Sequence, residues 1–146
     1  MSDLGFTDPL LVDQWNYLNL GDKSVASTAY AGGDINIKDT WRQLTCGDPS
    51  IIVAVVDEGV EYSHPDLSPN MWINEAERTG VTGKDDDGNG YVDDIYGYNF
   101  IDNTPEINFD RTDNDTGHGT HCAGIISAVN NNGIGGAGGG GGSGKG

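Results

Sequence analysis

Two histidines, His118 and His121, stand at the head of the apolar run CAGIIS in the stretch DNDTGHGTHCAGIIS (residues 113–127), beside Cys122. Imidazole is the side chain best suited to holding a metal or moving a proton near neutral pH, and it also serves as the polar start of a helix. Zinc is a poor match. Helical zinc pairs use i, i+4 spacing with an intervening Glu, whereas here the spacing is i, i+3, Gly and Thr intervene, and no Glu or Cys lies in ligand spacing. Proton transfer is a better match if a second group fixes the tautomer of the ring. Asp57, directly after the segment IIVAVV (51–56), is a candidate. A carboxylate that accepts the Nδ1 proton of His118 would leave Nε2 free as a base. Taken alone, Asp57 reads equally well as a structural turn aspartate.

A second chemistry is written in KDDDGNGYVDD (84–94). Asp85, Asp87, Asn89 and Gly90 satisfy the calcium-loop pattern D-x-[DN]-x-[DN]-G. Alternate oxygens converge on one point because Gly90 permits the sharp turn. The Tyr91 carbonyl and Asp93 or Asp94 are candidates to complete the shell. Tyr96 occupies the twelfth position, where a full EF-hand has Glu, so the segment of about 83–96 reads as a free-standing calcium insertion. The competing reading is an empty acidic turn. Charge favours the cation: Asp85, Asp86, Asp87, Asp93, Asp94, Asp102, Glu106, Asp110, Asp113 and Asp115 crowd one stretch of a chain with net charge -16. The same imbalance argues against nucleic acid as a partner, because phosphate binding needs clustered Lys and Arg.

The elements that must position these groups are legible in outline. TDPLLVDQWNYLNL (7–20) opens with Asp8 as an N-cap and Pro9 at the first helical position, and it places Leu11, Trp15 and Leu18 on one face. GGDINIKDTWRQLTCGD (32–48) repeats the pattern with Ile37, Trp41 and Leu44, and Gly47 follows the last turn. IIVAVV has no alternation and reads as a strand buried on both faces of a parallel sheet. YGYNFI (96–101) is a candidate second strand. From His118, the residues Cys122, Ile125, Ile126 and Val129 fall at helical spacing, with Asn130 to Gly133 as the stop. Helix, strand, loop, strand, helix is an α/β order, in which site residues gather at the carboxyl ends of strands. Residues 1–135 form the domain in this reading, and the Gly-rich 136–146 is a mobile loop or tail. Cys46 and Cys122 leave the redox compartment open, and no segment has the length of a membrane span.

VAVVDEGVEYSHPDL and GHGTHCAGIISAVNNNGIG resemble the subtilisin-like serine protease family (subtilases), over roughly residues 8–142. The first block matches the surroundings of that family's catalytic aspartate and the second those of its catalytic histidine. The resemblance therefore gives these roles to Asp57 and His118, and makes His121 a second, non-catalytic histidine. Cys122 matches a cysteine packed under the catalytic histidine in proteinase K-like members. Glu58 departs from the pattern, since Thr or Ser is commoner after the aspartate. The resemblance implies the family's three-layer fold on a mostly parallel sheet, here cut off before the serine-bearing half. It also implies a second calcium site from Gln14, Asp66 and the loop Val129 to Gly136, through Val129, Asn131, Ile134 and Gly136. One extra residue near Gly133 leaves those loop ligands less defined.

The family's third block, a Gly-Thr-Ser-Met-Ala-like turn carrying the nucleophile, occurs nowhere in the 146 residues, and Ser143 in the glycine tail matches nothing. The implied activity is therefore peptide-bond hydrolysis of peptides or proteins by an Asp-His-Ser triad, with this chain supplying Asp and His. The missing C-terminal half would be its partner, and a secreted or cell-surface location is expected. The alternative is a non-catalytic, calcium-loaded binding or structural module. Either way, the isolated chain is expected to expose apolar surface and unpaired strand edges.

Overall fold

The computed structural model describes residues 5–24, 26–108 and 117–142; Asp110, Asp113, Asp115 and Ser143 lie outside them. Three α-helices occur among these residues: α1 (Lys38–Gln43), α2 (Glu75–Thr79) and α3 (His118–Ser127), with short 3-10 turns at Pro9–Asp13 and Ser68–Asn70. The chain divides into two compact units, one drawn from 1–51, 65–70 and 124–146, the other from 52–64 and 71–123. No helix among the described residues is long and apolar enough to cross a membrane.

The expected parallel sheet is not there among the described residues, and the α/β reading is corrected accordingly. Among the described residues the only β pairing is an isolated antiparallel bridge between Asn99 and Thr104. It closes a tight turn in which Asn103 takes φ 58°. IIVAVV is not a strand, and Ile51, Ile52, Val53 and Val56 are each more than half exposed. The physical reason is non-local. A parallel strand gains its hydrogen bonds and burial only from neighbours on both edges and layers on both faces, and the local run of apolar residues supplies none of them.

In the first unit a small aromatic core forms instead. Leu11, Tyr17, Trp41 and Ala137 are buried together, with Phe6, Ile37 and Cys46 packed against them. The Trp41 ring meets Tyr17 edge-on, with centroids 5.1 Å apart. Its indole N–H donates to the Gly139 carbonyl at 2.9 Å, and the Tyr17 hydroxyl donates to the Ile125 carbonyl at 2.6 Å. The N-terminal helix is shorter than its pattern suggests. It ends at Asp13, so Trp15 faces solvent and Tyr17 becomes the buried aromatic. Asp8 does not cap it; its buried carboxylate accepts the Asn131 and Asn132 N–H groups at 2.7 and 3.1 Å. Leu44, just after α1, is likewise exposed rather than part of an apolar face.

The glycine run 136–142 is packed rather than free. Gly139 and Gly140 N–H groups donate to the Ile125 and Ile126 carbonyls, at 2.9 and 2.8 Å, and Gly142 N–H donates to the Cys46 carbonyl at 2.7 Å. Only glycine allows so close an approach: a Cβ at Gly141 would fall 1.8 Å from the Ala128 carbonyl oxygen. Ladder-like backbone bonds therefore replace side-chain burial in holding this segment.

Candidate functional site

In the second unit, Asp57 follows the exposed apolar segment and His118 is the first residue of α3. Asp57 Oδ2 lies 2.7 Å from His118 Nδ1. Asp57 Oδ1 accepts the Glu58 backbone N–H at 2.9 Å. That amide, with the His118 hydrogen bond added, holds the Asp57 carboxyl below the ordinary aspartate range. An ionised Asp57 can only accept, so this hydrogen bond places a proton on His118 Nδ1. The Asp57 side chain is 15% exposed and that of His118 62%, so the carboxylate is shielded while the ring presents itself to solvent.

Two features of the sequence set this geometry. Gly119 lets the first turn of α3 lie directly on the Asp57 turn, since a Cβ there would meet the Gly59 carbonyl oxygen at 2.2 Å. Thr120 then fixes the other side, its hydroxyl accepting the Glu61 N–H at 2.9 Å. Cys122, one turn after His118, has its sulfur 3.8 Å from both ring nitrogens. A sulfur equidistant from the two nitrogens lies on neither lone-pair axis, so it packs against the ring rather than bonding to it. His121 is exposed on α3, and His64 sits in the turn after Glu61, where its N–H donates to the Glu61 carbonyl at 2.9 Å.

The acidic insertion in the same unit is organised around a residue that the motif does not contain. Glu77, in α2, is buried. Its Oε1 accepts the Asp86 and Asp87 N–H groups at 2.7 and 3.1 Å, and its Oε2 accepts the Asp93 N–H at 3.0 Å. Asp85 folds the glycine turn by accepting the Gly88, Asn89 and Gly90 N–H groups. The buried Asn74 amide spans Asp87 Oδ2 and Asp94 Oδ1, at 2.9 and 3.0 Å. Carboxylate oxygens of Glu77, Asp85 and Asp87 all lie within 4.8 Å of one another. Hard oxygen donors at this density suit calcium. Asp93 instead accepts the Gly83 N–H at 2.8 Å, and Tyr91 packs its ring on Tyr98 and Phe100. Glu77 escaped the sequence reading because nothing in its surroundings distinguishes it from Glu75, two residues earlier.

The residues implied for a second calcium site meet in the first unit, already engaged with one another. Gln14 Oε1 accepts the Ala137 N–H at 2.7 Å and its amide donates to the Ala137 carbonyl at 2.9 Å. Buried Asp66 accepts the Asn132 amide at 2.7 Å, and the Asp66 carbonyl accepts the Val129 N–H at 2.9 Å. Asn132, not Asn131, is the asparagine facing Asp66; the Asn131 side chain accepts from Thr7 instead. Ile134 contributes its N–H to the Asn132 side chain at 2.8 Å, and Gly136 lies against Gln14.

A model of the subtilase family matches residues 48–143. Subtilisin-like protease 1 of Plasmodium vivax is 51% identical over 83 residues, which is 57% of this chain and 12% of that protein. The protein of the same name from Plasmodium falciparum (isolate 3D7) is 49% identical over 83 residues, 57% of this chain and 11% of that one. Human proprotein convertase subtilisin/kexin type 6 is 30% identical over 129 residues, 88% of this chain and 11% of that protein. The chain thus spans about one-eighth or less of the length of these three curated relatives.

Proposed function

The chain belongs to the subtilase family, and from that premise we propose that it supplies the aspartate and histidine of a serine-type endopeptidase. The observation that carries the proposal is the 2.7 Å contact between Asp57 and His118. Asp57 orients the ring and stabilises the imidazolium, and Nε2 of His118 takes the proton of a serine hydroxyl as it attacks the peptide carbonyl. The same nitrogen then returns the proton to the leaving amine. The serine comes from the family's C-terminal half, since no serine turn of that kind lies in these residues. The substrate is a peptide or protein, and the site of action is secreted or at the cell surface. Exposure of Ile51, Ile52, Val53 and Val56 supports a requirement for that second half, which would cover them.

Calcium is the proposed cofactor. Asp85, Asp87, Asn89, the Tyr91 carbonyl, Asp93, Asp94 and, added by the structure, Glu77 are its candidate ligands in the insertion. Gln14, Asp66, Val129, Ile134, Gly136 and Asn132 or Asn131 are those of the second site. When bound, calcium supplies charge neutralisation to a self-repelling cluster. The residues themselves hold the loop against α2 through the Glu77 bonds.

The test is complementation. The chain is mixed with the C-terminal half of a subtilase catalytic domain and challenged with a fluorophosphonate probe and a peptide substrate. Labelling and cleavage that vanish with His118→Ala are expected. Assembly of the two halves without labelling would favour the non-catalytic, calcium-binding reading.

A further inference from the structure

In the first unit, one side chain closes the loop 20–33 at its two ends. Asn19 Oδ1 accepts the Gly21 N–H at 2.9 Å, and its amide donates to the Gly33 carbonyl at 3.2 Å. The Asn19 backbone carbonyl accepts the Gly32 N–H at 2.9 Å. Inside the loop, the Ala29 and Gly33 N–H groups donate to the Ala26 and Tyr30 carbonyls, at 2.8 and 2.9 Å. A loop closed on itself in this way holds a surface in a fixed shape. Here the surface is aromatic. Trp15, 51% exposed, and Tyr30, 80% exposed, line one cavity of about 240 Å³ together with the small residues Ala26 and Ala29. We propose that this cavity is a docking site for the guanidinium of an arginine in a basic peptide segment. Binding there does not require the endopeptidase reading.

Size and charge select the occupant. The volume lies below the ~300 Å³ at which cofactor and small-molecule pockets begin, so the cavity takes a single side chain. Trp and Tyr faces attract a cation, and a planar guanidinium can also stack on them. The surroundings are acidic: in residues 5–37, four carboxylates, Asp8, Asp13, Asp22 and Asp34, stand against the one ammonium of Lys23. Asp22 borders an adjoining hollow that shares Trp15 and Ala26 with the cavity. The Ser24 hydroxyl and N–H both donate to Asp22 Oδ1, at 2.7 and 2.8 Å, and hold that carboxyl below the ordinary aspartate range. Asp22 is therefore charged at neutral pH, and its Oδ2 takes no part in the Ser24 turn.

Two other occupants fit less well. A sugar would stack on exposed rings, but reading its hydroxyls needs uncommitted donors and acceptors. Asn19, the amide of the cavity, is engaged at both ends by Gly21 and Gly33. A proline-rich segment would use the rings and gain nothing from the carboxylates around them. An arginine uses both. The net charge of -16 draws any basic segment toward the chain, and the two rings then distinguish docking from that diffuse attraction.

The chain carries its own reporters in the indole N–H groups of Trp15, Trp41 and Trp72. The full chain, in calcium, is titrated with a terminally blocked Gly-Arg-Gly peptide, and the three indole signals are followed by proton–nitrogen NMR. The same peptide with citrulline for arginine, which keeps the shape and loses the charge, and a blocked triproline are the comparisons. A saturable shift of Trp15 alone is expected with the arginine peptide, and none with the other two. Affinity should fall at least tenfold in Tyr30→Ala and be kept in Tyr30→Phe, which retains the ring. Tyr30 is exposed, so neither change disturbs the aromatic core, and circular dichroism checks that both variants melt with the native chain. No shift at Trp15 overturns the site, and so does an equal shift at the exposed Trp72, which would mean diffuse attraction. An equal response to citrulline or triproline overturns the cationic occupant, and unchanged affinity in Tyr30→Ala removes the aromatic one. Binding is read without catalysis. A Trp15 shift with no probe labelling after complementation removes only the endopeptidase, and labelling without the shift removes only the docking site.

Discussion

Gly119 stands so close to Asp57 that a methyl group in place of its hydrogen would lie 2.9 Å from the Asp57 Cβ. The neighbours of that methyl include the Gly59 carbonyl, which is backbone and does not rotate away. The helix carrying His118 therefore reaches its partner only because the residue after the histidine has no side chain. Gly119→Ala is expected to destabilise the chain by about 1–3 kcal/mol through overpacking. Gly124, in the same helix, has open space around its Cβ position. Gly124→Ala should gain about 0.5–1 kcal/mol from helix propensity alone. Melting by circular dichroism compares the two. Equal shifts would remove the steric account of the Asp57–His118 approach.

The acidity of Asp57 is a second consequence. Its folded pKa is depressed, first by the Glu58 N–H and then by His118. A depressed carboxyl contributes stability that is present above its unfolded pKa and lost as pH falls through its folded one. The His118 hydrogen bond should therefore persist as pH is lowered through ~3.9, the ordinary aspartate value. Carbon-13 titration of the Asp57 carboxyl should give a midpoint below that value, and Asp57→Asn should abolish the titration. A midpoint above it would contradict the arrangement.

Glu77 should matter to calcium more than its position in the sequence suggests. Glu77→Gln is expected to weaken calcium binding at least tenfold by calorimetry, because it removes a buried charge beside Asp85 and Asp87. Glu75→Gln, on an exposed residue paired with Arg78, should leave binding unchanged. Calcium chelation should lower the melting temperature of the native chain. Equal affinities in the two variants would remove Glu77 from the site.

The sequence marks of the candidate site are local. The two blocks that carry the family resemblance, around Asp57 and His118, and the alternate oxygens around Gly90 are each readable within a few residues. What escaped depends on distant partners. Glu77 is set apart only by the amides of Asp86, Asp87 and Asp93 that fold onto it. Tyr17 rather than Trp15 is buried because the first helix stops at Asp13 and Trp41 is there to receive it. IIVAVV carries every local mark of a buried strand and lies exposed, because pairing and cover are not properties of the segment itself. The glycine run has no side chains to signal packing, yet its backbone bonds the end of α3.

Asp8 is a further case in which tertiary context overrides a local motif. Its buried carboxylate holds the Asn131 and Asn132 amides, so Asp8→Ala leaves two donors without their acceptor. The expected loss is about 1–3 kcal/mol, with hydrogen exchange accelerating at Asn131 and Asn132. A helix N-cap alone would predict faster exchange at the amides after Pro9 instead.

The pairing of Asp57 with His118 is tested most directly by proton NMR of the chain with nitrogen-15 in its histidine rings. A far-downfield Nδ1 proton on His118, with Nε2 showing the nitrogen shift of an unprotonated acceptor and the proton signal lost in Asp57→Ala, is the predicted result. A His118 ring protonated on Nε2 in the metal-free chain, or one indifferent to Asp57→Ala, would contradict the account.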